Sequence, residues 1–371
     1  MATNSKRTRS KRTRSTRTTL GVSVVVLSLA LAFVAPRALD AARRARHVPQ
    51  MGSGRPPAAP AALRPLLGLY ESGEQRLIIG ERDGRPLITD RDRRQSEARL
   101  VGDTIRFAPS SAFAGRELVI ERDAQRGVRA LAGAGLRFER RALGPESGNQ
   151  LKVAPVRPIA DLRAEALAAS PPVETGRDAA VDLVELRSLD RSIKLEIRYA
   201  TANNLYGTPF YSQARAFLQR PAAEAVARVH AALARHGLGL LIHDGYRPWY
   251  VTRMFWDAAS PEVRPFVADP SQGSKHNRGA AVDLALFDRK SGRTVAMPST
   301  YDETTLRAYP DFPGGTARER WARDLLRTAM EAEGFTVFEF EWWHFDYTGW
   351  EHWPILNVAF ERLRTPASRP H

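Results

Sequence analysis

Cysteine is absent from the chain, and that one absence removes several chemistries together. Disulfides, thiolate metal sites, a cysteine nucleophile and a lipid-modified amino-terminal cysteine are all excluded. Any transition metal has to sit on histidine and carboxylate groups. Acid is nearly missing from residues 1–47, which hold eleven Lys or Arg against the single Asp40. That segment carries most of the formal charge of +15 and leaves about +5 for the remainder. Cations without interleaved aromatics at one end are poor material for reading nucleic acid, so a nucleic-acid partner is not expected. At 371 residues the chain exceeds one ordinary domain, and the length points to two folded units.

A neighbouring apolar run explains the basic cluster. Lys6, Arg7, Arg9, Lys11, Arg12, Arg14 and Arg17 precede the stretch from Leu20 to Pro36, broken only by Ser23 and Ser28. A charged stretch leading into an apolar one is an export signal. Pro36 spoils a cut after Ala35, which favours a retained single-pass anchor over a cleaved peptide. The expectation for residues 1–36 is therefore a signal or inner-membrane anchor, with the folded part periplasmic or otherwise outside the cytoplasm.

Residues 37–63 have no periodicity and read as a linker. From 64 to 141 short apolar runs alternate with turn signals: Arg76–Gly80, Pro86–Thr89, Asp103–Phe107, Glu117–Glu121 and Leu136–Phe138. This is a small all-β domain. It has no histidine and no clustered acid, so a spacer or binding role is expected of it. Its order, from Leu66-x-Gly68-x-Tyr70 to Leu136–Arg140, resembles the small β-domains appended to some bacterial serine hydrolases. Residues 142–178, with Pro145, Pro155, Pro158, Pro171 and Pro172, read as a second linker.

The remainder, 179–365, mixes helix and strand signals and holds five of the eight histidines between residues 230 and 344. Ile193–Tyr199 reads as a strand. Pro221–His236 reads as a helix with proline at its start and Gly237 past its end, its His230 and His236 facing solvent. Leu238–His243 comes next as a buried strand, with His243 expected to pack at its end. Thr316-Ala317-Arg318-Glu319 is a capping box for another helix, which Gly334 closes before a strand from Phe335 to Phe340. Helices against a partly antiparallel sheet make an α+β domain.

Chemistry concentrates in two segments. Ser274–Asp283 sets His276 and Asp283 seven residues apart across Gly279, and Glu341-Trp342-Trp343-His344 adds an imidazole and a carboxylate. Two histidines and one aspartate leave a fourth zinc position for water, which is catalytic rather than structural geometry. Glu341 remains to take a proton. On a regular strand Glu341 and His344 would face opposite ways, so a bulge or turn has to intervene. Trp342 and Trp343 are expected to wall a small dry pocket, and His352 is not needed as a ligand.

Ser-x-His-x-x-Gly-x-Ala-x-Asp followed by Glu-x-Trp-His resembles the signature of the zinc D,D-peptidases. Glu341–His344 resembles in particular the D-alanyl-D-alanine dipeptidases of the VanX type. The likeness extends through Arg198–Thr201, Asn204–Gly207 and Leu240–Pro248. It implies a hedgehog-like α+β catalytic domain behind the β-domain. It further implies one zinc per chain on His276, Asp283 and His344, Glu341 as general base and Arg247 as the cation that steadies the oxyanion. The alternative for Arg247 is a structural salt bridge to Asp244. Tyr199, Ser274, Phe255 and Asp302 are the implied substrate contacts, Asp302 taking the free ammonium. Pro298 stands where a glycine is often found, and Lys275 replaces a small residue of some relatives.

The function implied is hydrolysis of a small D-amino-acid dipeptide, D-Ala-D-Ala, in peptidoglycan turnover. Two alternatives stay open, a D,D- or L,D-carboxypeptidase on cell-wall stem peptides and a non-catalytic peptidoglycan-binding scaffold. Oligomeric state has no signal in the sequence.

Overall fold

A computed structural model describes residues 54–109, 113–133, 135–143 and 152–363. The expected export segment 1–36 and most of the linker 37–63 lie outside the described residues. Among the described residues no helix is long and apolar enough to cross a membrane.

The first strands run in chain order: β1 (Gly68–Ser72), β2 (Gln75–Arg82), β3 (Arg85–Asp90), β4 (Gln95–Val101), β5 (Thr104–Phe107), β6 (Glu117–Arg122), β7 (Val128–Gly133) and β8 (Leu136–Arg141). Each pairs with the next, and β8 returns antiparallel to β1, which closes an eight-stranded barrel. Closure removes every free sheet edge. Asp83-Gly84, both with positive φ, form the two-residue turn between β2 and β3. Tyr70, Ile79, Ile88, Ile105, Leu131 and Phe138 fill the interior. β4 leaves little trace in the hydrophobic pattern because small residues, Ser96 and Ala98, take inward positions that large apolar residues usually mark.

The second domain begins earlier than expected. The supposed linker 142–178 carries α1 (Ile159–Ala168), whose Leu162 and Ala166 are buried in the main core. Its proline-rich flanks hide a helical face on which Ile159, Leu162 and Ala166 recur at helical spacing. Next come β9 (Leu183–Glu185), β10 (Lys194–Leu195), β11 (Phe217–Gln219), α2 (Arg220–Leu233), β12 (Leu238–Asp244), α3 (Trp249–Ala258), β13 (Ala281–Asp288), α4 (Ala317–Glu331), β14 (Phe335–Phe338) and β15 (Glu341–Tyr347). The expected strand Ile193–Tyr199 shrinks to β10, and Arg198–Ala200 form a 3-10 turn.

A five-stranded sheet in the order β10-β12-β13-β15-β14 organises this domain, and only β10 runs parallel to its neighbour. β12 is buried along its whole length. The α4 cap forms as its sequence predicts: Thr316 Oγ1 accepts from the Glu319 amide at 3.1 Å and Glu319 returns the bond to the Thr316 amide at 2.8 Å. His230 does not face solvent. It is fully buried on α2, accepting from the Leu240 amide through Nδ1 at 3.0 Å and meeting Ser192 Oγ through Nε2 at 2.9 Å.

Candidate metal centre and active site

Strand register builds the site. Asp244 pairs with Asp283 across β12 and β13, and Asp283 pairs with His344 across β13 and β15. Residues directly opposite on antiparallel strands project to one face, so three chemical side chains stand in a row. Two irregularities make this possible. The β12 register skips His243, which turns Asp244 onto the face of Asp283. On β15 the register against β14 jumps from Phe345 opposite Val337 to Glu341 opposite Phe338, so the chain bows out between them. That bow resolves the geometric conflict, and Glu341 Oε2 lies 3.9 Å from His344 Nδ1.

His276 comes from outside the sheet. It sits on a 3-10 turn, Lys275–Arg278, that Ser274 caps: Ser274 Oγ accepts from the His276 amide at 3.2 Å, and the Ser274 amide donates to Asn277 Oδ1 at 2.7 Å. Gly279 ends the turn with φ 66°, and a β-carbon there would lie 2.5 Å from Leu183. Only glycine satisfies both conditions. Asn277 Nδ2 also donates to the Arg247 carbonyl at 2.8 Å, which ties the His276 turn to the arginine loop.

The three expected ligands meet. His276 Nε2 lies 3.1 Å from His344 Nδ1 and 3.3 Å from Asp283 Oδ1, and His344 Nδ1 is 2.9 Å from Asp283 Oδ1. Donors bound at about 2.0–2.1 Å to a tetrahedral zinc stand roughly 3.3 Å apart, close to this triangle. The outer ring nitrogens are engaged elsewhere. His276 Nδ1 donates to the Gly245 carbonyl at 2.7 Å, and His344 Nε2 donates to Asp346 Oδ1 at 2.9 Å. Those outer bonds set the tautomers so that both inner nitrogens present lone pairs, beside a carboxylate oxygen. Three acceptors at such spacing call for a cation, and the donor set fits zinc.

The surrounding acids call for positive charge at this point, supplied by a proton on His344 or by a metal that takes its place. Burial opposes charge on His344, yet its bonds to Asp283 and Asp346 outweigh this and hold the ring up at about 10. Burial likewise opposes ionisation of Asp283, and the two histidines overcome it, keeping the carboxyl well below the usual range. Lys275 Nζ, 2.5 Å from Asp346 Oδ2, completes the outer chain. Tyr301, which no sequence pattern singles out, donates its hydroxyl to Asp283 Oδ2 at 2.9 Å. Asp346 is a second supporting group beyond the expected set, although a residue two past His344 on a strand shares its face.

Glu341 keeps about a third of its side chain exposed, at 32%. Burial of its carboxyl, opposed by His344, leaves it pushed up to about 7. Arg247 forms the salt bridge that was its alternative: Nε and Nη2 bond Asp244 Oδ2 at 3.0 and 2.7 Å. Asp244 Oδ1 accepts from Tyr211 at 2.6 Å. The guanidinium lies over Phe255 at 4.9 Å and Tyr199 at 5.4 Å. Tyr199 and Phe255 are thus largely buried under Arg247. Tyr199 donates to Asp302, its oxygen 3.1 and 3.0 Å from the two carboxylate oxygens. Burial, with Asp283 and Glu341 nearby, drives the Asp302 carboxyl well above its ordinary range. Such a carboxyl is suited to an incoming cation.

The tryptophans are core residues with one polar task. Both are buried, and Trp342 Nε1 donates to Ser299 Oγ at 2.8 Å, anchoring the loop that carries Tyr301 and Asp302. His243 stacks on Tyr301 at 4.7 Å, while His352 is exposed and lies outside the metal-ligating group.

A family profile described as D-ala-D-ala dipeptidase matches residues 179–359. The D-alanyl-D-alanine dipeptidase of Escherichia coli K12 is 33% identical over 188 residues, which is 51% of this chain and 96% of that protein. The chain belongs to the D-Ala-D-Ala dipeptidase family. Two enterococcal enzymes of the same name agree. That of Enterococcus faecium is 30% identical over 43% of this chain and 88% of its own, and that of Enterococcus faecalis V583 is 33% identical over 41% and 85%. As a member of this family the protein is a metallopeptidase that hydrolyses a dipeptide. The family match lies wholly behind the barrel.

Proposed function

We propose that the protein is a zinc-dependent dipeptidase that splits D-Ala-D-Ala outside the inner membrane, in peptidoglycan turnover. The observation that carries the reading is the convergence of His276, Asp283 and His344, with Glu341 at 3.9 Å from His344 and Asp302 close enough to Asp283 and Glu341 for their charges to act on its carboxyl. Zinc held by the three ligands would supply a Lewis acid to the scissile carbonyl and acidify the attacking water.

The chain's own groups do the rest. Glu341, with its carboxyl near 7, is matched to accept the water's proton and pass it to the leaving amine. Arg247, fixed by Asp244 and two aromatic rings, presents a cation to the carbonyl oxygen without having to be ordered first. Asp302 and Tyr199 receive the free ammonium. An acylated amine brings no charge to the buried Asp302 carboxyl, which disfavours longer peptides.

The test uses the full chain with zinc, offered D-Ala-D-Ala, its amino-acetylated form and L-Ala-L-Ala. Release of D-alanine from the free dipeptide alone, reduced about a thousandfold or more in Glu341→Ala, is the expected result. Equal cleavage of the acetylated peptide would make the protein a carboxypeptidase. Inactivity of the folded, zinc-loaded protein on every peptide would reduce it to a binding scaffold.

A further inference from the structure

The loop from β13 to α4 brings Ser299, Tyr301 and Asp302 to the site, and the barrel grips its far half. Leu306 and Phe312 of the loop pack against Leu69, Ile78 and Leu143. Arg93, in the turn after β3, donates to the Asp311 carboxylate at 3.0 Å and carbonyl at 3.4 Å. The Glu81 amide donates to the Gly315 carbonyl at 3.0 Å, and Gly80 bridges to Gly315 in the manner of a parallel strand. Glu81 is only 1% exposed; its carboxylate accepts from the Ala317 amide, at the start of α4, at 2.9 Å and from Gly84 at 2.7 Å. Arg320 crosses back to the Glu81 carbonyl at 2.6 Å. The fit is tight: a β-carbon on Gly80 would lie 2.9 Å from the Pro313 carbonyl oxygen.

At the near end of the same loop, Asp302 has φ 59°, a left-handed backbone conformation uncommon outside glycine, asparagine and aspartate. Tyr199 fixes its side chain, and the next residue, buried Glu303, ties the backbone onward by accepting from Thr300 at 3.4 Å and from Arg307 at 2.7 Å, Arg307 standing within the segment the barrel holds.

We propose that the barrel is a specificity element: by clamping residues 306–317 it keeps Asp302 aimed at the substrate's ammonium and so sets the preference for a free amino end. The inference rests on Asp302 being the group that receives the ammonium. It departs from the spacer role expected of a β-domain without chemistry of its own.

The test uses full-length protein carrying Glu81→Gln, Gly80→Val or Arg93→Ala, with D-Ala-D-Ala and its acetylated form as substrates and amide exchange read across residues 300–316. The first two variants are expected to raise KM for the free dipeptide about tenfold, with kcat within about twofold and zinc content unchanged, as exchange in the loop accelerates. Arg93→Ala, at an exposed bond, gives a smaller shift of the same kind and serves should Gly80→Val not fold. Faster exchange with an unaltered preference overturns the proposal. So does unaltered exchange in all three, or an equal loss of kcat/KM on both substrates, which would mark a role in stability alone. Asp302→Asn in an otherwise unaltered chain separates the two ideas, because an unchanged preference there removes the role of Asp302 itself.

Discussion

At the residue scale, the metal centre is defined as much by what lies behind the ligands as by the ligands. Tyr301 holds Asp283 Oδ2 and so leaves Oδ1 to face the two imidazoles. Outer partners of this kind carry about 10- to 100-fold in metal affinity. Tyr301→Phe is therefore expected to weaken zinc binding by that factor, measured by competition of the apoprotein with a chromophoric chelator. Affinity equal to the wild type would mean that Asp283 needs no such support. The ligands themselves could be read in the sequence because their spacing reflects tight local turns and adjacent strands. Tyr301 could not, because its bond to Asp283 closes a loop of eighteen residues whose path no local pattern fixes. The pairing of Arg247 with Asp244 was legible as an alternative to its role as a cation, but the one-residue register skip that turns Asp244 toward the site was not.

At the scale of elements, α2 and β12 are joined by a histidine. His230 accepts from the backbone amide of Leu240, which requires a bare Nδ1 and hence, with Ser192 hydrogen-bonded at Nε2, a ring that is best neutral. Burial, with Arg289 adding to it, lowers His230 to about 4, and burial with Arg198 does the same to His243. Both folded values lie below the unfolded value of about 6.5. The stability these neutral rings contribute is thus complete above a pH of about 6.5 and is lost as pH falls toward about 4, where the unfolded chain binds protons that the fold refuses. Urea titrations at pH near 7 and near 5 should show the loss, and His230→Gln should shrink the difference by about 1–2 kcal/mol. A difference identical to the wild type would show that His230 is not held neutral. The helix was readable from its apolar spacing and proline start; the inward turn of His230 was not, because a titratable side chain on a helix carries no sign of which neighbour will bury it.

At the scale of the whole molecule, the order of an all-β unit followed by an α+β unit was visible from the change of hydrophobic period, but the closure of the barrel was not, since small inward residues blurred β4 and the pairing of β8 with β1 joins the two ends of the unit. The contact between the two units was equally invisible. It joins backbone groups of Gly80, Glu81 and Gly315 to side chains far apart in the chain, such as Arg93 and Asp311, a pairing no local pattern reports. The export proposed for the protein rests on residues 1–36, where a basic cluster leads into an apolar run. Expressed with its own amino terminus in a bacterium, the protein should partition to the membrane fraction and be digested by protease added to spheroplasts. Removal of residues 1–36 should leave it protected in the cytoplasm, and protection of the full chain as well would refute export.

Closure of the barrel also decides how the protein bears a pull. Because β1 and β8 are antiparallel neighbours, with Leu69 opposite Arg141, the chain arrives at and leaves the barrel at the same corner. Tension between a tethered amino terminus and the rest of the chain would load that ladder from one end, so its hydrogen bonds would part singly, as a zip opens, rather than share the load in shear. The contacts of Arg55 with Asp288 and of Arg318 with the Pro56 carbonyl stand ahead of the barrel and would have to part first.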